Sequence, residues 1–351
     1  IVGSGFGVNA EVRIGGLPAI VTSPGATSIG VIMPAGAGAN PDVAVTIADG
    51  RSAIVTDPFN RVSFAGGQVG DTVNGQAGVS DGNIVQPSLS RDGRWLAFHT
   101  GTRFMVNGDT NGVADVFVRD RGGAGGAPAI VRVSVDSNGT QADGPSTRAK
   151  ISADGRYIAF VSAATNLVPD DTNGVEDVFV HDRDADGNGV YDETGPGQRA
   201  TFRVSVASTG AQGNGASGNC FDIPVCAPLD LSPDGFWVAF TSYATNLVPG
   251  DTNDARDVFL HHWPSGQTTR ASVATGGAQA NGHSDSPGVS AGGRRVVFAS
   301  YSDNLVPNDT NSARDVFLHD RDDRSTTRVS TAYGSTADAD GNSGLPSIDD
   351  R

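Results

Sequence analysis

The sequence predicts an all-β chain built from repeated four-stranded units, and three observations predict it. A motif recurs four times: Asp109-Thr110-Asn111, Asp171-Thr172-Asn173, Asp251-Thr252-Asn253 and Asp309-Thr310-Asn311 each precede an Asp-Val-Phe triplet, beginning at Asp115, Asp177, Asp257 and Asp315. Around each copy lie short apolar runs punctuated by Gly, Asp, Asn and Pro, the pattern of strands joined by tight turns. No segment shows helical periodicity with caps.

The elements repeat in a fixed order. Leu89-Ser90, Ile151-Ser152, Leu231-Ser232 and Val289-Ser290 close a first strand and lead into a turn. The turn is Asp92-Gly93, Asp154-Gly155, Asp234-Gly235 or Gly292-Gly293, where glycine supplies the positive φ of a tight reversal. A second strand follows at Trp95–Phe98, Tyr157–Phe160, Trp237–Phe240 and Val296–Phe298, and the Asp-Val-Phe runs form a third. Arg132–Val135, Arg203–Val206, Arg270–Val273 and Arg328–Ser330 make the fourth. The triplets are 62, 80 and 58 residues apart, so the unit is about 60 residues long with one enlarged copy. The middle strands are apolar on both faces, so each sheet is expected to be covered on both sides. Four-stranded sheets stacked face to face are the blades of a β-propeller. The blades are expected at about 84–136, 147–207, 228–274 and 286–331.

Ser-x-Asp-Gly-Arg-x-x-Ala-Phe followed by Asp-Val-Phe-Val-x-Asp-Arg resembles the TolB-like β-propeller repeat of bacterial periplasmic and secreted proteins. The resemblance spans about residues 60–351, implies the fold and implies little about activity. Arg61-Val62-Ser63-Phe64 matches the fourth strand of a unit, and Pro346-Ser347-Ile348 matches the start of a fifth. A velcro closure is expected, in which the strand at 61–64 completes the last blade, or an open array completed by a neighbouring molecule.

Residues 1–59 lack the repeat. Gly3-Ser4-Gly5-Phe6-Gly7, Val12–Ala19, Met33-Pro34-Ala35, Val43–Ile47 and Asp49–Ala53 resemble an IPT/TIG immunoglobulin-like β-sandwich. The strand that usually leads this domain is missing, which suggests truncation or a sheet edge filled by another subunit. The expected chain is therefore all-β, an Ig-like (IPT/TIG) domain followed by the propeller.

Composition bounds the function. With 24 basic against 39 acidic residues the net charge is −15, which disfavours nucleic acid and anionic lipid as partners. No apolar run is long enough for a transmembrane helix. The chain starts at Ile1, consistent with a leader already removed. Cys220 and Cys226 favour a small disulfide loop over two free thiols, which would imply an oxidising, extracytoplasmic compartment.

The sharpest chemical signal is the acidic insert from Asp182 to Glu193. Asp184, Asp186, Asn188, the Val190 carbonyl and Asp192 resemble the calcium loops of thrombospondin type 3 repeats. A second register, Asp182, Asp184, Asp186, the Asn188 carbonyl and Glu193, has EF-hand spacing without flanking helices. Calcium is the expected cofactor, against a solvated acidic hairpin. The repeated boxes admit two readings. Asp109, Asn111 and Asp115, with Asp171, Asn173 and Asp177, Asp251, Asn253 and Asp257, and Asp309, Asn311 and Asp315, either hold cations or fold back as Asx turns, the favoured reading. Arg256 beside Asp257 and Arg314 beside Asp315 are expected to replace a metal as countercharge.

His181, His261 and His319 share one repeat position and read as structural. Trp95, Tyr157 and Trp237 share another and read as inter-blade packing. No Gly-x-Ser-x-Gly elbow occurs. The favoured function is a non-catalytic secreted or cell-surface protein, calcium-stabilised, with a structural or adhesive role toward protein or glycan. Assembly into a filament through incomplete sheet edges is a further expectation, and the location is extracellular, cell-surface or periplasmic. The alternative is a polysaccharide-binding or polysaccharide-degrading propeller, with His99, Arg103 and Lys150 breaking the repeat, or the propeller of a larger enzyme or transport assembly.

Overall fold

A computed structural model of the chain contains two compact units, Ile1–Ile84 and Val85–Arg351. The structure describes residues 85–103, 105–122, 129–219, 226–332 and 339–348, with the strand backbones between 11 and 55. The expected boundary at 59/60 lies outside the described residues. The expected velcro strand at 61–64 lies outside the described residues.

The first unit holds β1 (Glu11–Ile14), β2 (Leu17–Pro18), β3 (Ile20–Pro24), β4 (Ile29–Ile32), β5 (Val43–Thr46) and β6 (Ser52–Val55). An antiparallel sheet runs β2-β1-β5-β6, and β3 and β4 pair as a separate ribbon.

Among the described residues the second unit holds four antiparallel sheets of four strands, the arrangement of propeller blades. The first blade has β7 (Val85–Leu89), β8 (Trp95–Thr100), β9 (Asp115–Asp120) and β10 (Ala129–Arg132). The second has β11 (Ser146–Ile151), β12 (Tyr157–Ser162), β13 (Asp177–Asp182) and β14 (Ala200–Arg203). The third has β15 (Leu229–Leu231), β16 (Trp237–Ser242), β17 (Asp257–His262) and β18 (Gln267–Arg270). The fourth has β19 (Ser284–Val289), β20 (Arg295–Ser300), β21 (Asp315–Asp320) and β22 (Ser325–Arg328). The first three strands of each blade fall where the repeat places them, but the fourth is corrected: it ends at Arg132, Arg203, Arg270 or Arg328, where the expected strand began, because the residues before each arginine are the ones that pair with the third strand. Among the described residues no helix is long and apolar enough to cross a membrane.

Register is identical from blade to blade. Phe98, Phe160, Phe240 and Phe298 of the second strands face Phe117, Phe179, Phe259 and Phe317 of the third. Ring centroids in these pairs are 5.8–6.0 Å apart. Side chains alternate across a strand, so the middle strands of the second and third blades each feed two cores. In the second blade Ile158, Phe160 and Phe179 join Ala97, Val116 and Val118 of the first blade. Ala159, Val161, Val178 and Val180 of the same strands join Leu229, Val238 and Phe240 of the third. A third core joins Ala239, Val258 and Leu260 to Val296, Phe298 and Phe317. The core is therefore distributed between blades, which is why the sequence reads apolar on both strand faces.

The aromatics at the start of the second strands lock successive blades. A β-carbon on Gly155 would lie 2.2 Å from the Trp95 ring, one on Gly235 2.2 Å from Tyr157, and one on Gly293 2.3 Å from Trp237. Each glycine has positive φ, so the turn glycine answers a backbone demand and a close approach together.

Residues 339–348 continue the repeat against the fourth blade. The Ser343 amide donates to the Arg314 carbonyl, as Ser146, Ser217 and Ser284 donate to Ala114, Glu176 and Arg256. Leu345 has φ 53°, like Arg148 at 60° and Ser286 at 50°. The backbone of Pro346 and Ser347 runs beside Gly288, within 3.6 Å of where its β-carbon would be.

Gly235→Ala should destabilise the protein by about 2–4 kcal/mol, combining overpacking with an unfavourable left-handed alanine. Gly187→Ala has the same sign of φ but open space around it, and should cost about 1–2 kcal/mol. Equal losses of stability in denaturant titrations would remove the close-packing argument.

Candidate functional site

The repeated boxes share one geometry. Asp115, Asp177, Asp257 and Asp315 open the third strands and are fully buried. Ser134, Ser205, Ser272 and Ser330 of the fourth-strand segments donate hydroxyls to them at 2.5–2.6 Å. The same hydroxyls accept the amides of Val116, Val178, Val258 and Val316. Asn111, Asn173, Asn253 and Asn311 donate their side-chain amides to the aspartates at 2.8–3.1 Å. Their carbonyl oxygens accept the amide two residues on, at 2.9–3.2 Å, which defines an Asx turn.

The countercharge is an arginine of the fourth strand. Arg132 Nη1 lies 3.3 Å from both Asp109 and Asp115. Arg203 lies 3.0 Å from Asp171 and 3.7 Å from Asp177. Arg270 lies 3.1 and 3.3 Å from Asp251 and Asp257, and Arg328 3.3 and 3.8 Å from Asp309 and Asp315. A guanidinium thus occupies the space between the paired carboxylates, and each asparagine turns an N–H group toward the strand aspartate. Burial pushes Asp109, Asp171, Asp177, Asp251 and Asp257 above the ordinary carboxylate value despite the arginines. The expected role of Arg256 and Arg314 is corrected: neighbouring residues of an extended chain point to opposite sides, and both arginines instead meet at the buried Asp285.

The insert between Asp182 and Glu193 closes on itself and on arginines. Asp184 accepts the Asn188 amide at 2.9 Å and the Gly189 amide at 3.1 Å. Asp186 and Glu193 accept the Asn188 side-chain amide at 3.0 and 2.7 Å, and Asn188 Oδ1 accepts the Val190 amide. Asp182 is held by Arg156 through two bonds of 2.7 and 2.8 Å. Asp192 is held by Nε and Nη2 of the buried Arg183 guanidinium. Arg183 also lies 4.1 Å over Trp95 and 4.9 Å over Tyr191, anchoring the insert to the first blade. Asp182 and Asp192 therefore face guanidinium groups. Among the described residues no group of three or more His, Cys, Asp or Glu side chains is set to hold a metal.

The matched histidines form inter-blade relays. His181, His261 and His319 Nδ1 lie 2.8–2.9 Å from the hydroxyls of Thr201, Thr268 and Thr326. Each hydroxyl donates to a carbonyl of the preceding blade, Val135, Val206 or Val273. A hydroxyl has one proton, so each imidazole must be the donor at Nδ1. Burial lowers His181 to about 3 and His261 to about 4, and lowers His319 as well.

His99, Arg103 and Lys150 lie in different settings. His99 Nδ1 accepts the Arg148 amide, and burial lowers this histidine to about 4. Lys150 pairs with Asp230 at 3.4 Å, whereas the Arg103 guanidinium lies beside Gly112. Cys226 is disulfide-bonded, and its expected partner Cys220 lies outside the described residues.

Several working residues escaped the sequence reading. Gln141 and Gln279 bond to both backbone and side chain of Thr110 and Thr252. Asn166, Asn246 and Asn304 each donate to the carbonyl of Gln141, Gln212 or Gln279, latching one blade to the next. Their recurrence at matched positions was the available signal.

Two predictions follow from this chemistry. Arg270→Met leaves two buried carboxylates without their cation and should cost about 3–5 kcal/mol; a neutral effect would mean another cation serves the box. The lowered histidine values mean a stabilising contribution fully present above the unfolded value near 6.5 and lost as pH falls toward 4 and 3. Asp177 and Asp257, being raised, act oppositely: their contribution is present at low pH and lost as pH rises. His181→Gln with His261→Gln should therefore flatten the fall in stability between pH 6.5 and 4, measured by denaturant titration at each pH.

No protein-family model matches the chain, and no curated protein matches it. Among solved structures, TolB from Acinetobacter baumannii aligns over 93% of this chain and 64% of its own, at 14% identity and TM-score 0.36. The tricorn protease aligns over 83% of this chain and 24% of its own, at 11% identity and TM-score 0.40. A puromycin-hydrolyzing peptidase from Mycobacterium tuberculosis aligns over 93% and 37%, at 14% identity and TM-score 0.42. The chain spans less than two thirds of each of these three, and the likeness is one of fold.

Proposed function

We propose that the chain is a non-catalytic secreted or cell-surface protein, a propeller scaffold for structural or adhesive contacts, joined to an IPT/TIG-like module at residues 1–59. The observation that carries this reading is the fourfold box: its aspartates, asparagines, serines and arginines are engaged with one another in every blade. Such side chains tie strands together and leave little chemistry for turnover. The disulfide at Cys226 supports an oxidising compartment. Incubation with peptide and polysaccharide panels should yield no cleavage. Turnover of any member would favour the enzymatic alternative.

Arginines supply the countercharges in this reading, so the blades need no calcium. Thermal melting in chelator and in millimolar calcium should coincide. A clear rise in Tm with calcium would instead assign a cation to the loop at Asp184, Asp186 and Asn188.

A further inference from the structure

The end of each blade that carries the turn glycine also carries a repeated charged set. Arg94, Arg156 and Arg294 follow the turn and pair with Asp120, Asp182 and Asp320 at the end of the third strand. Arg121, Arg183 and Arg321 come next and donate to the carbonyls of Gly93, Gly155 and Gly293 at 2.7–2.9 Å. The third blade has Phe236, His262 and Trp263 at these three positions. Register is unchanged: Trp237 faces His262 as Trp95 faces Asp120. Trp263 Nε1 still donates to the Gly235 carbonyl, at 2.8 Å. The backbone is thus preserved while an Arg-Asp-Arg set becomes aromatic.

A fourth substitution joins them from the neighbouring blade. Phe202, where the other outer strands have Val131, Thr269 and Thr327, stacks on Trp263 with centroids 5.2 Å apart and planes at 19°. Tyr157 packs 5.6 Å from Phe236 and 5.4 Å from Trp263. Phe202 and Phe236 remain 39% and 38% exposed. Exchanging an ion pair for half-exposed rings buries little, so blade stability does not account for the change.

The other joints indicate what such rings take. Arg183 lies 4.1 Å over Trp95, and Arg321 lies 4.3 Å over Trp237. Among the described residues no guanidinium stacks on Phe202, Phe236 or Trp263. Asp234, whose carboxylate accepts the Phe236 amide, and Asp182 and Asp154, whose charges act on Tyr157, place negative charge beside the rings, with Arg156 held over the Tyr157 face. The whole chain carries −15.

We propose that Phe202, Phe236 and Trp263 dock an arginine-bearing basic segment of a partner protein, its guanidinium lying over the rings as Arg183 and Arg321 lie in the other joints. This deepens the interaction reading by naming the chemistry of the partner.

The test is calorimetric titration of the full chain with an oligo-arginine peptide at about 0.15 M ionic strength, where long-range attraction to the acidic surface is screened. One variant, Phe236→Arg with His262→Asp and Trp263→Arg, restores the set with which the other three blades fold. A second, Phe202→Thr, changes no charge. The native chain should bind, and each variant should weaken binding by about tenfold or more. Unchanged binding in Phe202→Thr or in the restored variant would overturn the proposal. So would the absence of peptide binding, or a response to a neutral oligosaccharide instead of the peptide. Turnover in the substrate panels would remove the non-catalytic reading and leave this surface to be judged on its own titration.

Discussion

The fully buried aspartate that opens each third strand is the constraint on which the blade depends. Ionised, it must be satisfied on every side, because an unpaired charge in that interior would cost far more than a blade gains from folding. Serine reaches it from the fourth-strand segment, asparagine from the preceding turn, and arginine from the fourth strand. One carboxylate thereby sets the position of three separate pieces of chain. The asparagine extends the network further, donating also to the carbonyl of Ala142, Gly213, Ala280 or Ala339 in the trailing loop.

Buried ion pairs of this kind are weak sources of net stability and strong sources of specificity. The raised values of Asp177 and Asp257 express the same balance, since burial outweighs their partners. Stability comes instead from the cores between blades. Those cores are aligned by the aromatic rings seated on turn glycines and by the histidine–threonine–carbonyl relays. Strand pairing within a blade and docking between blades are thus governed by different residues of the same repeat.

Where the repeat is broken, function is the natural place to look. The third blade departs from the charged set in three positions at once and acquires a fourth aromatic from its neighbour. At the opposite strand ends, the position before Asp-Val-Phe varies as Ala114, Glu176, Arg256 and Arg314. There Glu176 accepts Asn219, and the two arginines share Asp285, so variation has been absorbed into local pairing.

The sequence by itself determined the first three strands of each blade, the strand order and the turn glycines, because strand alternation, turn chemistry and a recurring motif are local properties that survive without coordinates, whereas the fourth strand was expected a strand-length too late. It also expected the repeated histidine and aromatic positions to be structural, and the fold seats both between blades. Tertiary structure decided which charges meet. Asp257 and Arg256 are adjacent in sequence yet face different partners, whereas Asp251 and Arg270 are far apart and share one guanidinium contact. The acidic insert illustrates the same limit: its spacing lines up carboxylates, and only the fold brought Arg156 and Arg183 against Asp182 and Asp192. Charge pairing depends on distance through space, and spacing along a chain carries that information only within a turn or a strand.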